Sequence, residues 1–435
     1  MRLQVIDPNI NFECNSCTRC CEQPWRTLIE PEKTDALDKV DWASEFPSTA
    51  DRTLYRKVRE GAKTVVELGK GEGVKCVFLD TDGLCMIHKK LGYDAKPNMC
   101  KQFPFLPAMA WDADYVSANF GCKAVQRSSG RPMTEQQDAI TATVPLHKTP
   151  AKPDAKFVLA RDRLVPPDAA DGLLSLLGDI FAQDGPSSIF DRLAAVLATV
   201  EQAVRTEPDA LAEAVRSGEV RQTPDPSSYE PFASPAGAPM QSRFLFAATM
   251  FPDALPADST ANMGFLKRIT LVPKLMSLAQ IRGSYASRLL DRNVAIADVL
   301  TAAAKITVTP AATTLLGRYL RSRMWQRFPG GTKLPLYSAI HQHILDVNAV
   351  VFYGAAGALE AGKDCLDRAV IEHALMLVEF HLSNQPRLYD QVLKGWLRGW
   401  LATPAIAWAS LRMIRTADRS CAAPQEIPAI DDARA

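Results

Sequence analysis

Apolar positions follow a helical period over most of this 435-residue chain. From about 240 to 415 the pattern is almost entirely helical, carried by SLAQIRGSYASRLLDRNVAIADVLTAAAKI, SAIHQHILDVNAVVFYGAAGALEAG and CLDRAVIEHALMLVEFHL. In the last of these, Leu366, Val370, Ala374, Leu377, Val378 and His381 recur in steps of three and four, which lays them on one helical face. Upstream, LLSLLGDIFAQD at 173–184 and SSIFDRLAAVLATVEQAVRT at 187–206 predict a helical pair, the second opened by a serine cap. Nearer the start, one helix is expected from Pro31 through Val40. Another is expected from Arg52 to Leu68, where Ala62, Val65, Val66 and Leu68 cluster before GKGEG at 69–73 breaks it. The late stretch WLRGWLATPAIAWASL, 396–411, is interrupted by Arg398 and Pro404. It falls short of the roughly 20 uninterrupted apolar residues of a membrane span, and reads as a core or interfacial helix.

These patterns divide the chain into a cysteine-rich module at 1–125, a connector at 126–155 with four prolines, and a helical segment at 156–222. A second connector at 223–239 has five prolines in seventeen residues, a helical domain follows at 240–415, and a polar tail at 416–435 has the make-up of a disordered segment. No repeat of fixed period emerges. The expected fold class is mainly α: a small, irregular, metal-organised N-terminal module with short helices and few strands, then a mostly helical body.

Charge narrows the partners. Lysine plus arginine number 50 against 49 for aspartate plus glutamate, so a net charge of +1 gives no electrostatic argument for nucleic acid or an acidic membrane. The opening MRLQVIDPNINFEC lacks the basic start and apolar run of a secretory signal, so a reducing cytoplasm is the expected compartment.

The distribution of cysteine is the chemical signal. Eight of the ten cysteines, Cys14, Cys17, Cys20, Cys21, Cys76, Cys85, Cys100 and Cys122, fall in the first 122 residues. A disulfide framework is disfavoured in a reducing compartment. Cys365, on an apolar stretch, and Cys421, in the polar tail, read as ordinary free cysteines. For the other eight, spacings of three, three and one followed by four further cysteines point to metal. C-x2-C-x2-C from Cys14 to Cys20 resembles the first three ligands of a bacterial-ferredoxin run, and it is not the C-x3-C-x2-C of radical-SAM enzymes. Adjacent Cys20 and Cys21 direct their side chains differently, which suggests two centres, or one cluster plus a neighbouring thiol. Cys76 and Cys85 lie nine residues apart across a TDG turn, a hairpin-like excursion. His88 is a further candidate ligand, weighed against a histidine hydrogen-bonded in the module's interior. Cys100 sits between Lys96-Pro97 and the run FPFLP, which would shield a site from water. One 4Fe-4S cluster with a four-cysteine zinc, two iron-sulfur clusters, or a single cluster with structural cysteines all remain open.

C-x2-C-x2-CC, then CVFL, C-x-IH and KP-x2-C-x-x-FPF together resemble the YkgJ-type cysteine-cluster family, a zinc- or iron-chelating domain, over residues 12 to about 122. The family usually carries arginine where this chain has Lys96 and Lys101, and lysine lacks arginine's bidentate fork. One branch, the flagellin lysine-N-methylases, joins such a cluster to a long helical region. That resemblance implies an iron-sulfur cluster and methyl transfer from S-adenosylmethionine to flagellin lysines. Arg368, Glu372 and His373 look like a late segment of that branch, though a solvated charged face on a core helix explains them as well. Methylation needs a base to deprotonate the lysine, and Glu372, His373 and His381 are the candidates. Gly354, Gly357 and Gly362 of FYGAAGALEAG read as sites of close helix packing rather than a nucleotide loop. The leading expectation is a metal-binding accessory or redox protein whose helical body docks a protein partner. The alternative is a SAM-dependent protein-lysine N-methylase with flagellin as substrate.

Overall fold

The computed structural model describes residues 3–5, 7–23, 25–60, 63–109, 114–143, 157–160, 163–182, 187–255, 272–281, 283–326, 334–383 and 394–414. The expected tail with Cys421, and most of the connector beyond Thr143, lie outside those residues. The chain divides into two compact units, 1–153 with 328–331, and 154–327 with 332–435.

In the first unit the helix Pro31–Asp38 forms as its pattern predicts, with proline in the first turn where its missing N–H costs nothing. The stretch Arg52–Leu68 corrects the helical expectation. Tyr55–Glu60 and Lys63–Leu68 pair antiparallel, and Leu28–Ile29 adds a third strand beside the latter. The β-branched residues Val58, Thr64, Val65 and Val66 favour a pleated surface over a helix, and Val66 and Leu68, two apart, both enter the core. Glu67 crosses the strands to Arg56 at 3.3 Å and also meets Arg26 at 3.2 Å. Gly69 ends the hairpin where a Cβ would stand 1.8 Å from the Thr53 carbonyl oxygen, so no other residue fits. Ile29, Leu37, Trp42, Val66, Leu68, Val77, Phe78, Met86 and Ile87 make the core beneath this sheet.

A second three-stranded sheet takes Asp114–Ala118 as its centre, with Leu3–Val5 parallel to it and Phe105–Met109 antiparallel. The part of the expected connector up to Thr143 is built into this unit. Arg131–Pro132 pairs with Asn11–Phe12, the helix Gln137–Thr143 follows, and Met133 and Ile140 are fully buried. Their side chains find an apolar home that prolines counted along the sequence do not reveal.

The second unit is mainly helical. Pro167–Ala182 and Ile189–Arg205 are the expected pair, and Ser188 and Asp191 form a reciprocal capping box at the second. The proline-rich 223–239 stretch packs within the unit, with buried Tyr229 donating to Asp191 at 2.8 Å and Arg412 donating to the Glu230 carbonyl at 2.7 Å. The helix Leu336–Glu360 is buried along almost its whole length. Gly354 lets it approach its neighbour, since a Cβ there would lie 3.3 Å from Leu366.

Within 277–306 the wholly helical expectation is corrected by a hairpin, Ser284–Ser287 against Arg292–Ala295, between the helices Val272–Ala279 and Ile296–Ala303. Gly283 and Asp291 take positive φ of 76° and 50°, which a helix excludes, and Tyr285 and Ser287 alternate inward to donate to buried Asp253 at 2.9 and 2.6 Å. Cys365 is likewise not helical. It lies in the two-residue strand Cys365–Leu366, and Asp367 then caps the helix Arg368–Leu377 through the Val370 amide at 2.9 Å. A π-helical turn, Val378–Ser383, extends that helix and carries Glu379, which pairs with buried Arg323 at 2.9 Å. The 396–411 stretch is split at Pro404 into Lys394–Leu401 and Pro404–Met413. Among the described residues no helix is long and apolar enough to cross a membrane.

His341, fully buried on the long helix, joins these last two helices to it. Its Nδ1 lies 3.1 Å from the Leu401 carbonyl, which can only accept, so Nδ1 carries the proton and Nε2 accepts from Ser410 Oγ at 2.9 Å. The neutral ring is thus satisfied, and burial pushes its pKa from 6.5 down to about 4. The neutral form stabilises the fold above pH 6.5, and that contribution is lost as pH falls from 6.5 towards 4. It amounts to about 3 kcal/mol, at roughly 1.4 kcal/mol per pKa unit. Urea unfolding of the full chain should therefore lose stability less steeply across that window in His341→Gln than in the wild type, even though the variant starts from lower stability at pH 7.

Candidate metal centre

Residues 12–25 hold four cysteines on a stretch with little regular structure after Asn11–Phe12. Local turns shape it: the Arg19 amide donates to Cys17 O at 2.7 Å, and the Cys21 and Glu22 amides both reach Thr18 O. Ser16 and Thr18 are left-handed, with φ of 52° and 58°. Gly83, in the expected TDG turn, faces this loop. A Cβ there would meet Thr18 Cγ2 at 3.1 Å, and its φ of +83° suits glycine.

Aromatic rings fix both ends of the stretch. Phe12 sits edge-on to Phe105 at 5.3 Å between centroids, and Trp25 on Phe103 at 5.6 Å. The FPF run thus grips the two ends of the cysteine stretch. In the middle, Arg19 Nη1 donates to Gln126 Oε1 at 2.9 Å and to the Gly121 carbonyl at 3.4 Å, on either side of Cys122. The Cys76 amide donates to Cys21 O at 2.8 Å, and Lys70 Nζ donates to the carbonyls of Gln23 and Trp25.

These links bring sulfurs from four separate segments into one neighbourhood. Cys20 Sγ and Cys21 Sγ are 3.9 Å apart. Cys76 bridges back to Lys70, Cys85 stands just before the helix Met86–Leu91, and Cys100 lies on Asn98–Gln102. Charges on Cys20, Cys76 and Cys100 act on Cys21, while Cys76 and Cys100 each feel Cys20 and Cys85. Cys122, at the start of Lys123–Arg127, is the neighbour of Cys17 and Cys20 instead. Cys14 is exposed and within electrostatic reach of Tyr93. The nine described cysteines are free thiols, and among the described residues no three Cys, His, Asp or Glu side chains form a ready-made coordination sphere.

The thiols are not alike. A hydrogen bond from Cys21 favours the Cys20 thiolate, assisted by the charge of Lys96, so Cys20 is lowered and Cys21 correspondingly raised. Burial pushes Cys76 and Cys100 up, and Cys122 up to about 12. Such thiols are protonated at neutral pH until something positive displaces the proton. A set of soft sulfur donors from several segments fits zinc or an iron-sulfur cluster better than magnesium or calcium.

His88 is not part of this cluster. It is exposed on its helix and stands edge-on to Tyr93 at 5.8 Å, and the short helix turns it outward rather than into the module's interior. Lys96 and Lys101 bring their ammonium groups over the same tyrosine, at 5.4 and 5.9 Å. In the second unit Glu372 is engaged by Arg368 at 3.1 Å, and His373 is exposed. His381 is half-buried, and burial with the nearby Arg288 charge lowers it to about 4. The residues that sequence reasoning missed are Arg19 and Lys70. Their partners are backbone carbonyls and an amide up to 107 positions away, which no spacing encodes.

An uncharacterized protein of Methanocaldococcus jannaschii is 32% identical over 113 residues, which is 26% of this chain and 36% of the relative. The chain thus spans about a third of the length of that curated relative. No solved structure matches. Residues 13–124 match the CxxCxxCC family, described as "Putative zinc- or iron-chelating domain". The cysteine-rich module of this chain thus matches the CxxCxxCC family, which supports a metal-binding role for it.

Proposed function

We propose that this chain is an accessory metalloprotein whose N-terminal module holds an iron-sulfur centre, of the 4Fe-4S type, on cysteine thiolates. The observation that supports this most is the meeting of the Cys20–Cys21 pair with Cys76, Cys85 and Cys100, drawn from separate segments. Those five residues supply the ligands of the main centre and one neighbouring thiol. Cys17 and Cys122, which neighbour Cys20, and the exposed Cys14 serve a second centre or brace the first. A bound cluster would supply one-electron chemistry. The chain's own residues hold the sulfurs, and the ring pairs Phe12–Phe105 and Trp25–Phe103 hold the ends of the cysteine stretch. The helical body is the part that docks a protein partner.

Full-length protein purified without oxygen should be brown and contain iron and sulfide. Cys76→Ser and Cys100→Ser should lose most of that metal, whereas Cys365→Ser should keep it. Colourless protein with stoichiometric zinc would replace iron with zinc, and metal retained in both Cys76→Ser and Cys100→Ser would remove those residues as ligands. Because metal binds thiolate, raised thiols must release protons on loading. Zinc titration of metal-free protein should therefore show affinity rising from about pH 6 to about pH 8 and a heat that depends on the buffer's ionisation enthalpy.

Arg19 gives a stability counterpart. Arg19→Met leaves Gln126 Oε1, a fully buried acceptor, without its cationic donor. Urea unfolding of the metal-free chain should show a cost of about 1.5–3 kcal/mol, the contribution of a hydrogen bond from a charged donor.

A further inference from the structure

Lys70 follows the strand Lys63–Leu68 and forms an isolated antiparallel bridge with Cys76. Its Nζ donates to Trp25 O at 2.7 Å and to Gln23 O at 3.2 Å. Those two carbonyls belong to the segment that leaves Cys20 and Cys21, so a single ammonium fastens that segment beside Cys76. The Cys76 amide makes the matching bond to Cys21 O at 2.8 Å.

The charge of Lys70 has no full counter-ion in the metal-free protein. Nearby Glu67 is already held by Arg26 at 3.2 Å and Arg56 at 3.3 Å. The thiols of Cys76, Cys100 and Cys21 also lie within electrostatic reach of Lys70. Carbonyl oxygens satisfy two of its three N–H donors without neutralising it. A half-buried cation is costly unless anions stand near it, and thiols become anions when they take up metal.

We propose that Lys70 is the positioning residue and charge partner of the metal centre. It holds the Cys20–Cys21 loop against Cys76, and it offsets the negative charge that the thiolates carry once loaded. This rests on the metal-binding reading of the module. Lys75 provides an internal contrast, because it is close in sequence but pairs with Glu22 at 3.4 Å in an exposed position.

The test is zinc affinity of the full-length chain, stripped of metal, reloaded with zinc alone and read by competition with a colorimetric chelator. Lys70→Met and Lys70→Gln should bind about 10- to 100-fold more weakly, the range expected when a group supporting metal ligands is lost. Lys70→Arg should recover most of the loss, and Lys75→Met should match the wild type. Wild-type affinity in Lys70→Gln, or an Arg variant as weak as the Gln variant, would overturn the role of the charge. The Arg and Gln variants carry this comparison even where Lys70→Met does not fold. Wild-type protein that takes up no metal would instead remove the metal-binding reading on which the role depends.

Discussion

A loop with almost no repeating hydrogen bonds cannot hold four sulfurs in place by itself, and the first unit is organised around that constraint. Residues 12–25 are held at both ends by ring-on-ring contacts with Phe105 and Phe103. Two cations hold it further: Arg19 reaches out to the Cys122 segment, and Lys70, bridged to Cys76, reaches back to the Gln23 and Trp25 carbonyls. Each bond carries a full charge on the donor, and such bonds contribute about 1.5–3 kcal/mol, more than a neutral one. The two sheets and the core of Leu37, Trp42, Phe78 and Met86 provide the rigid wall to which the loop is tied.

The same arrangement explains the electrostatics. Burial favours the neutral form of Cys76, Cys100 and Cys122, while Cys20 alone is shifted towards thiolate by the proton of its neighbour. In the metal-free module, then, buried Cys76, Cys100 and Cys122 favour the thiol, and Cys20, beside Lys96, is the one of these that leans towards thiolate. On the proposed reading, metal loading would exchange protons for a cation, with Lys70 and Lys96 placed to offset the thiolate charge.

Legibility in the sequence followed the range of the interaction that fixes each element. The capping box at Ser188 and the helix Pro31–Asp38 are set by residues three or four apart, and both were readable. The hairpins at 55–68 and 284–295 were read as helix because short apolar clusters fit either period, and the deciding events are distant: pairing with Leu28–Ile29 for one, and donation to Asp253 for the other. The eight cysteines announced themselves through spacing. His88, three residues beyond Cys85, admits both a ligand and an interior hydrogen-bonded histidine on spacing alone, and the short helix instead leaves it exposed. Arg19 and Lys70 act on carbonyls and an amide that any sequence could supply, so they were invisible until the chain was folded.

We propose that sulfurs from the first stretch and from the later cysteines hold one metal centre together. X-ray absorption at the metal edge of the loaded full-length protein tests it directly, because sulfur ligands lie at about 2.3 Å from zinc and nitrogen or oxygen ligands at about 2.0–2.2 Å. The account predicts a shell made of sulfur that is depleted by Cys76→Ser as well as by Cys20→Ser. A shell of nitrogen and oxygen, or a sulfur shell unchanged in both variants, would contradict it.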